Sequence, residues 1–135
     1  MNSSRFEEIE HTADWAIAVH GETLEALFEN AAEGMFSLLD AKVEDQETAK
    51  KELDLSAIDQ ETLLVSWLEE LLFLLESEQY ASGDFDVEIQ GDKLAAEFTL
   101  YPIRSINKDI KAVTYNELEI VKDEEGFHTT IVFDV

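Results

Sequence analysis

The chain contains no cysteine, a single proline, five glycines and nine basic residues against thirty-two acidic ones. The missing cysteine rules out a disulfide framework, a thiolate-ligated metal and a cysteine nucleophile. With so little proline and glycine there is no linker to divide the chain, and 135 residues match one domain, 1–135, with a full core. The scarcity of Lys and Arg argues against direct nucleic-acid binding, because contact with a phosphate backbone depends on clustered bases. The opening MNSSRFEEIE has no apolar signal segment, and no run approaches the length of a membrane span. The expectation is a cytoplasmic protein without a membrane partner. Nothing in the sequence specifies an oligomeric state.

What the chain does have is acid. Its formal charge is −23, while hydrophobic residues make up 45% and aromatics 10%, so the charge sits on a protein with ample material for a core. Two compatible readings follow. High net charge keeps a protein soluble in a salty cytoplasm, and it also suits work on a basic protein partner, including one that itself handles nucleic acid.

Hydrophobic periodicity organises the chain. In DWAIAVH, residues 14–20, Trp15, Ile17 and Val19 alternate with Asp14, Ala16, Ala18 and His20, the pattern of a first strand ended by Gly21. Thr23 is a helix N-cap, followed by Leu24, Leu27, Phe28, Ala31, Met35, Phe36 and Leu39 on one stripe; Glu22, Glu25, Glu29 and Glu33 are expected to face water. Residues 40–47 are polar and 48–57 read as a weak strand. Asp59 caps a second helix in which Ile58 is placed to staple onto Leu63. Its stripe, Leu64, Trp67, Leu68, Leu71, Leu72 and Leu75, is broadened by Phe73 and Leu74.

After Gly83 the period becomes two. DFDVEIQ and KLAAEFTLY form a hairpin across Gly91-Asp92. Residues 102–108 read as a polar loop, 109–121 as a long strand with an irregularity near Asn116, and FHTTIVFDV as a closing strand after a turn at 123–126. The expected architecture is α+β: a two-layer sandwich with two amphipathic helices on a mainly antiparallel sheet of about six strands.

The polar knot Glu10-His11-Thr12-Ala13-Asp14 precedes the first strand, and Asp134 is the penultimate residue of the last. If these strands are antiparallel neighbours, Asp14 and Asp134 converge at one edge of the sheet, with a carboxylate at Val135 as a third oxygen donor. Such oxygens suit Ca²⁺, Mg²⁺ or Mn²⁺, and without a cation they would repel one another. Spacing alone leaves open that both aspartates are ordinary surface residues and that His11 is a capping or packing group.

Four stretches change that balance. EHTADWAIAVHGETLEALFENAAEGMFSLL at the start, SWLEELLFLLESE at 66–78, IKAVTYNELEI at 110–120 and the terminal VFDV at 132–135 together resemble the archease family, in order and over essentially the whole chain. The resemblance implies an accessory protein without catalysis of its own. Its partner would be the RNA ligase that joins tRNA exon halves through a 2′,3′-cyclic phosphate or 3′-phosphate end, and its role to promote guanylylation of that ligase's active-site histidine and multiple turnover. It also implies a divalent-cation site, Ca²⁺ first with Mg²⁺ or Mn²⁺ as alternatives, at Asp14, Asp134 and Val135. The chain departs from the family pattern at Glu10, where Asp is frequent, and at Asn116, where His is common. Lys111, inside IKAVTY, is either a strand-face lysine or a contact to the ligase or to a carboxylate of the site.

Two other function classes compete. A carboxylate-bound Mg²⁺ or Mn²⁺ can support phosphoryl transfer, but the sequence has no Gly-rich phosphate loop and no nucleophile–base pair. A chaperone-like modulator rests on the acidic surface alone.

Overall fold

Alternating side chains make strands along much of this chain, and two apolar stripes make its helices. The computed structural model describes residues 5–10, 15–44, 49–115 and 118–135, with Glu10 described in its main chain only. In chain order the elements are β1 (Phe6–Glu10), β2 (Trp15–Gly21), α1 (Leu24–Leu39), β3 (Lys42–Val43), β4 (Ala49–Ser56), α2 (Gln60–Glu78), β5 (Tyr80–Gln90), β6 (Lys93–Ser105), β7 (Ala112–Val113), β8 (Val121–Asp123) and β9 (Gly126–Asp134). Among the described residues no helix is long and apolar enough to cross a membrane.

The α+β class holds, and every described strand pairing is antiparallel. The described strands form two sheets where about six strands in one were expected. In the first the order is β1-β2-β9-β7, with β8 also on β9; in the second β6 pairs with β3, β4 and β5. Helix α1 packs on the first sheet and on β5, and α2 packs on α1, β4, β5, β6 and β7.

Both helices begin where their caps predict. The Thr23 hydroxyl accepts the Ala26 N–H at 3.0 Å and the Asp59 carboxylate accepts that of Thr62 at 2.7 Å. Hydrogen bonding to Thr62 also holds the Asp59 carboxyl below its ordinary range. The centre of the core is Trp67, fully buried. Its indole N–H donates to the Phe28 carbonyl at 3.0 Å, tying α2 to α1, and its ring meets Phe85 and Phe98 edge-on at 5.7 and 5.8 Å. At the β2–α1 junction Gly21 permits a close approach: a Cβ there would lie 2.4 Å from the Leu27 nitrogen.

Several expectations are corrected. Ile58 does not staple onto Leu63, because it is 88% exposed. The entry to α2 is pinned instead by the β5–β6 turn, where Ala57 N–H donates to Asp92 O and the Gln60 amide to Gly91 O. Residues 102–105 continue β6 rather than opening a loop, since Ile103 and Glu44 N–H groups find carbonyl partners at Gln79 and Pro102. The long strand expected over 109–121 is two short ones, β7 and β8, both on β9; Asn116 lies outside the described residues. Strands β1 and β3, unread in the sequence, pair with β2 and β6.

Glutamates of both helices reach strand donors. Glu61 and Glu69 of α2 accept the Ile120 and Val113 N–H groups at 3.0 and 3.4 Å. Glu25 and Glu29 of α1, expected in water, accept those of Ile89 and Val87 at 3.2 and 2.9 Å. Helix carboxylates thus occupy strand donors that another strand would otherwise take. Burial raises the Glu29 carboxyl above its ordinary range. The Val87 N–H opposes that rise, and the charges of Asp86, Glu33 and Glu25 add to it.

Candidate metal edge

The alternation of β9 sends Ile131 and Phe133 into the core, both fully buried, and leaves Asp134 exposed at the end of the strand. Its neighbours hold the main chain there. On one side β2 pairs antiparallel from Trp15 opposite Phe133 to Gly21 opposite Phe127. On the other, Ala112 pairs with Asp134 and Val113 with Phe133. The Lys111 N–H donates to the Asp134 carbonyl at 2.7 Å, and that of Thr114 to Val132 at 2.9 Å. Val135 follows, its side chain half-buried against the core.

The expected antiparallel adjacency of the strand after the polar knot and the last strand is therefore observed, as β2 beside β9. The outcome for the site itself is divided. Asp134, Val135 and Lys111 are described and lie together: Lys111 is bonded through its main chain to Asp134, and its side chain is exposed. Asp14 and His11 lie outside the described residues, as does the side chain of Glu10. Trp15, which follows Asp14 in the chain, pairs with Phe133, which precedes Asp134. Among the described residues no three His, Asp or Glu side chains converge as a metal centre.

Of the expected ligand carboxylates only that of Asp134 is described: an exposed oxygen donor on a strand paired on both sides, of the kind a hard cation takes. Two cavities of about 760 and 560 Å³ lie elsewhere. The first is at the opposite end of β2 and β9, beside His20, Gly21, Gly126 and His128; the second is on the second sheet, beside Asp54, Glu88 and Lys93. Neither is lined by Asp134.

Lys108 was not foreseen. Its Nζ sits 3.7 Å from the centroid of the Trp15 ring, a cation–π contact at the residue next to Asp14. The segment carrying it is fastened to the end of α1, where the N–H groups of Asn107 and Lys108 both donate to the Leu39 carbonyl at 2.9 and 3.3 Å. No local signal joins a tryptophan opening a strand to a lysine ninety-three positions later; only the tertiary path of 106–111 does.

Comparison with known proteins agrees with this architecture over the whole chain. A family model described as "Archease protein family (MTH1598/TM1083)" matches residues 6–135. The protein archease of Methanosarcina mazei is 39% identical across 97% of this chain and 96% of its own length. That of Saccharolobus solfataricus is 36% identical across 97% and 99%. Among solved structures, the solution structure of Methanobacterium thermoautotrophicum protein 1598 superposes with a TM-score of 0.72 at 24% identity, covering 98% of this chain and 100% of that one, a likeness of fold. The crystal structure of an archease from Thermotoga maritima, described there as a possible chaperone, has a TM-score of 0.71 at 27% identity, with 96% of each chain covered.

Proposed function

The chain belongs to the archease family, and from that premise we propose that it is a non-catalytic, divalent-metal-binding activator of the tRNA-splicing RNA ligase. In this role it works in the cytoplasm, promotes guanylylation of the ligase and sustains multiple turnover. The relationship over residues 6–135 carries the reading. The pairing of Trp15 with Phe133 supports its metal part, because these are the immediate chain neighbours of Asp14 and Asp134.

Asp14, Asp134 and Val135 are the proposed ligands. A bound divalent cation supplies positive charge that can neutralise and orient phosphate oxygens. The protein's own contribution is positional. Strand β9, clamped between β2 and β7, holds Asp134 at a fixed place on an exposed edge. Two of only nine bases in the chain are near in the fold: Lys108, over the Trp15 ring, and Lys111, whose main chain is bonded to Asp134. The chain's net charge of −23 attracts a basic partner over distance and leaves RNA binding to that partner.

The test is a guanylylation assay of the purified ligase with and without this protein, and with nucleotide hydrolysis measured on this protein alone. Stimulated ligase guanylylation with no hydrolysis by the protein itself is the expected result. Hydrolysis by the protein alone would move the reading to a metal-dependent phosphoryl-transfer enzyme.

A further inference from the structure

Helix α2 buries Leu63, Leu64, Val65, Trp67, Leu68, Leu71, Leu72, Leu74 and Leu75, yet leaves Phe73 56% exposed among the exposed carboxylates Glu69, Glu70 and Glu76. A lone exposed apolar residue needs no explanation. Phe73 stands apart because of where the helix puts it. Glu61 accepts from Ile120 and Glu69 from Val113, so α2 runs antiparallel to the segment 113–120. Phe73 is four residues beyond Glu69, on the same helix face and about 6 Å further along the axis. That direction leads past Val113 toward Lys111 and Asp134, whose main chains are bonded to each other. Tyr115, 58% exposed, leaves β7 two residues after Val113. Tyr115 lies on the other side of Val113 from Lys111, so of the two exposed aromatics Phe73 is the one displaced toward the edge.

We infer that the outward face of α2 around Phe73 is the surface on which the ligase docks, with Phe73 seated in an apolar pocket rimmed by Lys or Arg of that partner. The inference rests on the activator reading above and adds the contact surface to it. Charge decides the occupant. A second copy would set Glu69, Glu70 and Glu76 against like charges on a chain of −23, and an anionic lipid surface would repel the same face. A basic protein surface gains both the ring and the carboxylates around it. An aromatic anchor encircled by charges of one sign also fixes orientation, bringing the neighbouring edge with Asp134 toward the partner.

The experiment measures binding of the purified ligase to the wild-type protein and to Phe73→Ala and Phe73→Glu by titration calorimetry, with thermal melting and Ca²⁺ affinity of each variant recorded alongside. Phe73→Ala should weaken ligase binding at least tenfold and Phe73→Glu further, while melting and Ca²⁺ affinity stay at wild-type values. Wild-type binding by both variants overturns the docking face and leaves the activator reading standing. Absence of ligase binding by the wild-type protein overturns the activator reading and this inference together. A parallel loss of melting temperature or Ca²⁺ affinity assigns the defect to the fold and also overturns the docking role, as does a Phe73-dependent dimer in sedimentation.

Discussion

Replacing Glu29 tests whether a helix carboxylate guards the outer edge of β5. Its Oε2 accepts the Val87 N–H at 2.9 Å across 58 positions of sequence, and Val87 itself is buried. Glu29→Ala leaves that donor without its acceptor in a partly buried place, a loss of about 1–3 kcal/mol. For a chain of this size that lowers the melting temperature by roughly 3–10 °C. Glu29→Gln keeps an oxygen in reach of the same N–H and removes the charge, so at neutral pH it should cost far less than Ala. The pH dependence follows from the direction of the shift. Burial, aided by Asp86, Glu33 and Glu25, raises the folded-state value above the unfolded one, so Glu29 binds its proton more tightly when folded. Its stabilising contribution is fully present below the ordinary glutamate value and is lost as pH rises through the folded one. The stability of Glu29→Gln relative to wild type should therefore rise with pH across that window. Urea unfolding of the three proteins at a series of pH values from 4 to 8 measures all of this. Equal stability of Ala and Gln variants at pH 7 would refute the guarding role, and a Gln-to-wild-type difference independent of pH would refute the titration.

Further perturbations probe the metal edge, the partner and the packing. Asp14→Ala and Asp134→Ala should each weaken binding of Ca²⁺ and Mn²⁺ at least tenfold while leaving the far-ultraviolet circular dichroism unchanged; calorimetric titration with unaltered affinity in both would place any bound cation elsewhere. Association with the ligase should slow as salt rises, because screening shortens the reach of the −23 field to about 8 Å at physiological ionic strength. Stopped-flow rates that ignore salt would detach the acidity from partner binding. Gly21→Ala should destabilise by about 1–3 kcal/mol, since its Cβ would press on the Leu27 main chain, which cannot yield as a flexible side chain would. A wild-type urea midpoint would show that the junction relaxes freely.

Local rules were enough for the elements whose causes are local. Thr23 and Asp59 cap helices because a side-chain oxygen meets an N–H three residues on, and the hairpin at Gly91 follows from a left-handed position (φ 64°) between two alternating runs. The closing strand β9 was legible for the same reason, and its antiparallel pairing with β2 matches the expectation drawn from the places of Asp14 and Asp134 at opposite strand ends in the sequence. Tertiary structure decided what depends on distant partners. Glu25 and Glu29 look like solvent residues on a helical wheel, and only the approach of β5 turns them into acceptors. The pattern of 109–121 reads as a long strand with an irregularity near Asn116, whereas its described residues give β9 two short pieces, β7 and β8. Two donors of that stretch, the Val113 and Ile120 N–H groups, are taken by Glu69 and Glu61 of α2. Lys108 reaches Trp15 because Leu39 anchors its loop. Periodicity reports which face of an element is apolar; it carries no information about which backbone donors a carboxylate from another element will occupy.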